Sequence, residues 1–143
     1  LPSDSTQKVK KILEYDEDTA GGLMTTEYVS AFSTTTVKEV VEQIKKTYQL
    51  HRGCYLVYII SEQGAFKGDV SLRKLLVSAY TQTMAELMDD EKKPTATAEQ
   101  DVLEVASLMT KYNLTSIAVL DESKKLLGVI TVDDVMRHFV PHA

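Results

Sequence analysis

Apolar residues along this chain alternate between two kinds of spacing, and the alternation runs through the same order twice. Val37, Val40, Val41 and Ile44 share one face of a 3.6-residue period. They predict a helix opened by Thr36, with Glu39 placed to complete a capping box, and ending near Tyr48. Tyr55 to Ile60, rich in aromatic and β-branched residues, predicts a strand, the Gln63-Gly64 turn predicts a reversal, and Lys67 to Val70 predicts a returning strand. Leu72 to Ala79 then predicts a helix capped by Ser71. The second half repeats this order. Asp101 to Tyr112 carries Val102, Val105, Ala106 and Met109 on one face, Ile117 to Leu120 and Leu126 to Ile130 predict strands, and Val132 to Phe139 predicts a closing helix that Pro141 stops.

The flanking segments follow the same logic. Thr6 to Glu14 predicts a short helix, broken by the run from Tyr15 to Gly22, whose paired glycines predict a turn. Tyr28 to Ser33 predicts a short extended piece, Met84 to Met88 a short helix, and Asp89 to Pro94 a polar loop. The chain divides into a linker helix and turn over 1–22, a first repeat over 23–83, and a second repeat with its final helix over 84–143. The predicted class is α/β (α+β), with two small sheets related by a pseudo-twofold axis and packed with helices. Neither small sheet could bury its apolar face alone, so the halves must pack together, and the clefts between them are where function is expected.

Composition narrows the class. The chain has 143 residues, 43% of them apolar, which suits a single core. Its net charge of −5 argues against a nucleic-acid surface, which needs a basic stripe. The single cysteine, Cys54, excludes an internal disulfide and fits a reducing compartment. No apolar run reaches the ~20 residues of a membrane span. No signal peptide is evident, and the chain opens on Leu1 rather than methionine, so it reads as a piece of something longer. His51, His138 and His142 pair with no serine or with Cys54 in a catalytic pattern, and there is neither a P-loop nor zinc-ligand spacing, so an enzyme is not expected.

The repeated strand-Gly-apolar-apolar-Thr-x-x-Asp-helix pattern, read in Gly128 to Val135 and echoed in Gly68 to Leu75, resembles the CBS domain, and two copies make a CBS pair. The segment Tyr15 to Val29, together with Gly68 to Leu76 and Gly128 to Val135, resembles the region around the CBS pair of MgtE-type magnesium transporters. That resemblance implies a regulatory domain on the cytoplasmic face of the membrane, lying between an N-terminal helical domain and a transmembrane transport domain. It also implies Mg2+ and an adenine nucleotide (ATP or AMP) as ligands, and a homodimer formed through exposed helices. A nucleotide-sensing or dimerising CBS pair attached to another protein is the alternative.

Two readings of Thr131 and Asp134 stand side by side. In one, Thr131 offers a hydroxyl at a helix N-terminus, where free N–H groups favour a phosphate, and Asp134 accepts ribose hydroxyls. In the other, Thr131 only caps the helix and Asp134 favours its first turn. For the nucleotide reading, Thr95 in the loop Pro94 to Thr97 and Ala118 on a strand edge would flank the base. Tyr58 or Tyr55 would supply a ring in place of the aromatic expected at Leu114, because base stacking is worth roughly 1–3 kcal/mol. Arg73 is either a solvated helix-surface residue or, as the resemblance implies, a partner for the phosphates. Ser71 and Lys74 replace the Thr and Asp in the first repeat, so that cleft lacks its ribose acceptor. For Mg2+, which takes one or two carboxylates and keeps much of its water, the resemblance points to Asp101 and Asp134. Asn113 and Arg137 stand where acids of the same site are expected.

Overall fold

The structure, a computed structural model, describes residues 15–47, 55–89 and 91–140. The helix expected over Thr6 to Glu14, the helix end at Tyr48, and His51, Cys54, Pro141 and His142 lie outside them. Twelve elements lie among the described residues, in chain order. The first half holds α1 (Ala20–Leu23), β1 (Val29–Ala31), α2 (Val37–Lys46), β2 (Leu56–Ile60), β3 (Phe66–Ser71) and α3 (Leu72–Leu76). The second holds α4 (Met84–Leu87), β4 (Ala96–Thr97), α5 (Val102–Lys111), β5 (Ser116–Leu120), β6 (Leu126–Thr131) and α6 (Val132–Phe139). The strands form two three-stranded sheets, ordered β1-β2-β3 and β4-β5-β6, each with one parallel and one antiparallel pair. This is the α/β arrangement of paired sheets expected from the repeats. No helix among the described residues is long and apolar enough to cross a membrane.

The expected caps form. Thr36 Oγ1 accepts from the Glu39 N–H at 3.2 Å while Glu39 Oε1 accepts from the Thr36 N–H at 3.0 Å, closing the capping box. These bonds favour the ionised form and lower the Glu39 pKa. Ser71 Oγ accepts from the Lys74 N–H at 3.1 Å and starts α3.

Three expectations are corrected. The helix after Ser71 stops at Leu76 rather than Ala79, because Val77 is β-branched and the Ser78 hydroxyl turns back to the Lys74 carbonyl at 2.6 Å. The paired glycines do not make a turn; they lie inside α1. They are small because a Cβ at Gly21 would meet the Tyr15 ring and one at Gly22 the backbone of Asp16. The segment around Ala96 is not loop but β4, which lies parallel to β5, so β5 is the middle strand of its sheet and not an edge.

Each leading short helix serves the opposite repeat. The N–H of Ala20 donates to the Gln100 carbonyl at 2.8 Å and that of Val102 to Asp18 at 3.0 Å, so α1 sits on the start of α5. Symmetrically, the N–H of Val37 donates to Gln82 at 2.8 Å and that of Met84 to Thr35 at 2.8 Å, so α4 sits on the start of α2. Ala20 and Met24 accordingly pack in the core with Val105, Ile117 and Ile130, while Met84 and Leu87 pack with Val37, Val57 and Ile59. A third cluster of Tyr58, Ala118, Leu120 and Val129 joins the two sheets. At the hairpin tips, the N–H of Phe66 donates to Lys124 and that of Leu126 to Gly64, both at 3.0 Å.

Candidate functional site

The carboxyl end of β6 runs directly into α6, and Thr131 is the joint. Its side chain is fully buried, and Asp134 is 8% exposed. Asp134 Oδ2 accepts from the Thr131 N–H at 3.0 Å and from its hydroxyl at 2.8 Å, while Thr131 Oγ1 accepts from the Asp134 N–H at 3.2 Å. The pair is thus closed on itself as a capping box in this structure. Ser71 and Lys74 keep only half of that arrangement, since an ammonium cannot accept the reciprocal bond. Lys74 instead reaches Asp89 at 3.4 Å across the surface.

Beside Thr131 stands Ser116, its register partner on β5. Ser116 lines a cavity of about 200 Å3 with Leu56, Lys93, Pro94, Asn113 and Leu114. This is where the loop before β4 and the start of β5 converge, the place expected for an adenine. Thr131 and Asp134 adjoin this cavity through Ser116 but do not line it. Asn113 adopts φ 54°, a left-handed conformation that asparagine tolerates, and so ends α5. Leu114 lines the cavity as an aliphatic wall at the position expected to be aromatic, and the ring of Tyr112 lines the same cavity.

The remaining expected residues are dispersed. Thr95 lines a different cleft. Ala118 is buried between the sheets, and Tyr58, 1% exposed, is not a stacking platform in this structure. Its ring packs edge-on against Tyr28 at 5.8 Å, and its hydroxyl and Ser116 Oγ lie 2.6 Å apart. Burial also raises the Tyr28 pKa. Tyr55 is the exposed ring of the two. Arg73 is exposed on α3 and lines neither cavity. Asp101 caps α5 by accepting from the Leu103 N–H at 2.8 Å and borders a small recess with Asp18 and His138, which lie 3.4 Å apart. Among the described residues no three His, Cys, Asp or Glu side chains gather to hold a metal ion.

Sequence reasoning missed the Tyr58–Ser116 bond, whose partners come from different repeats. Tyr58→Phe is expected to strand the 5% exposed Ser116 hydroxyl and cost about 1–3 kcal/mol in denaturant unfolding. Adding Ser116→Ala should recover part of that loss; a double variant as unstable as the sum would remove the bond from the account.

The chain is 39% identical over 129 residues to the magnesium transporter MgtE of Thermus thermophilus, covering 90% of this chain and 28% of that protein. It therefore spans under a third of that relative's length. Among solved structures it resembles the cytosolic domain of the Mg2+ channel MgtE in complex with ATP, with 38% identity, a TM-score of 0.85, and coverage of 92% of this chain and 53% of the other. It also resembles the soluble part of a magnesium transporter, with 29% identity, a TM-score of 0.87, and coverage of 100% of this chain and 56% of the other. The sequence pattern of the CBS domain matches residues 20–79 and 84–141, and the chain belongs to the CBS domain family as a tandem pair that resembles the cytosolic domain of MgtE.

Proposed function

We propose that this chain is the regulatory CBS pair of a magnesium transporter, that it binds an adenine nucleotide beside Thr131 and Asp134, and that it responds to Mg2+. The observation that carries the reading is the match to MgtE through both repeats, together with a cavity that opens next to the Thr131–Asp134 joint. In this reading the adenine enters between Pro94 and Ser116, the aliphatic Leu114 covers one face, and the half-exposed ring of Tyr112, which lines the cavity, is nearer than that of Tyr55, which does not. Asp134 exchanges its cap for ribose hydroxyls, and Arg73 swings to the phosphates. Mg2+ is held by Asp101 or Asp134 with water and with groups of a second subunit or of the longer protein, since a hydrated ion needs few carboxylates from one chain.

The chain is read as a switch rather than an enzyme. Ligand between the repeats biases their relative orientation, and α6 passes the change to a membrane domain at the cytoplasmic face; coupling of about 1–3 kcal/mol is enough. A homodimer is part of the proposal. Leu103, Val132, Met136 and Phe139 expose apolar surface on α5 and α6, which suits a second copy of the same face.

Thermal unfolding of the chain with ATP, AMP and Mg2+, singly and together, tests this. An adenine nucleotide at 100 times its dissociation constant should add roughly 2.7 kcal/mol. The effect should be weakened in Asp134→Asn, which keeps one acceptor oxygen but loses the charge and the second acceptor. Stabilisation that survives Asp134→Asn undiminished, or none from any adenine nucleotide, would sink the nucleotide site.

A further inference from the structure

We propose, resting on the nucleotide reading above, that Ser116 selects the base in this cavity by donating to an unprotonated ring nitrogen. Tyr58 is the positioning residue that turns the serine hydroxyl to do so. Among the described residues lining the cavity, Ser116 is the buried one, at 5% exposure. Asn113 and Thr115 are exposed, so water competes for their bonds, and Lys93 is already paired with Asp69 at 2.9 Å. Thr131, the register partner of Ser116, spends its hydroxyl proton on Asp134 Oδ2 at 2.8 Å and accepts from the Asp134 N–H at 3.2 Å. Ser116 is the buried hydroxyl here with bonding capacity to spare.

Ser116 Oγ and the Tyr58 hydroxyl oxygen lie 2.6 Å apart, and Tyr58 is the only partner of the Ser116 hydroxyl among the described residues. Distance alone lets either oxygen carry the shared proton. Acidity decides between them: a phenol is a much stronger acid than an alkyl alcohol, so Tyr58 donates and Ser116 accepts. Ser116 then keeps its own proton at the cavity wall, and a hydroxyl that accepts from a phenol becomes a stronger donor in turn. The phenol is held in place, because its ring packs against Tyr28 at 5.8 Å and Phe66 at 6.2 Å. A base with an acceptor nitrogen at this point satisfies the serine. A base presenting C–H or N–H strands it, which is how a buried polar group discriminates strongly. The phenol belongs to β2 of the first repeat and the serine to β5 of the second, so a base bonded to Ser116 also bears on how the repeats sit.

Calorimetric titration with ATP, and with ATP analogues whose adenine ring nitrogens are replaced one at a time by C–H, tests the pair. One analogue should bind about tenfold or more weakly than ATP, and the others nearly as well as ATP. That penalty should disappear in Ser116→Ala, where no donor is left to strand, and shrink in Tyr58→Phe, where the donor is no longer oriented. A merely structural role of Tyr58 would instead weaken ATP and every analogue by one factor. Unfolding midpoints in the same buffer show that each variant titrated is folded; should Tyr58→Phe unfold, the unsubstituted chain and Ser116→Ala carry the test. Equal affinity for ATP and all analogues, a penalty undiminished in Ser116→Ala, or uniform weakening in Tyr58→Phe would each overturn the proposal. No saturable heat from ATP itself removes the nucleotide site and this role with it, whereas ATP binding without a penalty removes this role alone.

Discussion

Replacing Met84 with alanine is expected to cost this chain about 2–5 kcal/mol, the range for emptying a large side chain from a packed core. Met84 is completely buried, yet in sequence it opens the second repeat, and its neighbours Val37, Val57 and Ile59 belong to the first. The loss should therefore fall unevenly. Hydrogen exchange in Met84→Ala should deprotect amides of β1, β2 and β3 before those of β5 and β6, because local opening follows the packing lost. Equal deprotection of both sheets, or a preferential effect on β5 and β6, would contradict the exchange of leading helices between repeats.

Gly128→Ala should destabilise by about 1–3 kcal/mol, the usual range for overpacking a core. A Cβ there would lie 2.6 Å from Met24 Sδ and 2.9 Å from the Thr25 carbonyl oxygen. The thioether can move, but the carbonyl cannot move without stretching its 3.0 Å bond from the Val129 N–H. The denaturant midpoint should fall accordingly. Combining Gly128→Ala with Met24→Ala should cost less than the two separate changes added, since one of the colliding groups is removed. Strict additivity would show that the collision is not with Met24.

Local signals carried most of the elements. The capping box at Thr36 and Glu39, the cap at Ser71 and the four strand runs depend on neighbours a few residues apart, so spacing and residue type determine them. The duplication determined that two sheets would pack together, because neither could bury its apolar face alone. The Thr-x-x-Asp motif marked the joint between β6 and α6, but its two readings use the same atoms. A sequence holds no information on whether Asp134 points at Thr131 or at a ligand; in this structure it closes on Thr131.

What the tertiary structure alone decided has a common physical cause: these contacts join residues far apart in the chain. The glycines at 21 and 22 resembled a turn, whereas they are there so that the Tyr15 ring and the Asp16 backbone can approach α1. Tyr58 resembled a candidate base-stacking ring, but packing between the sheets withdrew it and tied its hydroxyl to Ser116. Ala96 was too short a run to show strand pairing until β5 lay beside it. Sequence periodicity determined which surfaces must be buried; the long-range packing of those surfaces determined which polar groups were left facing a cavity.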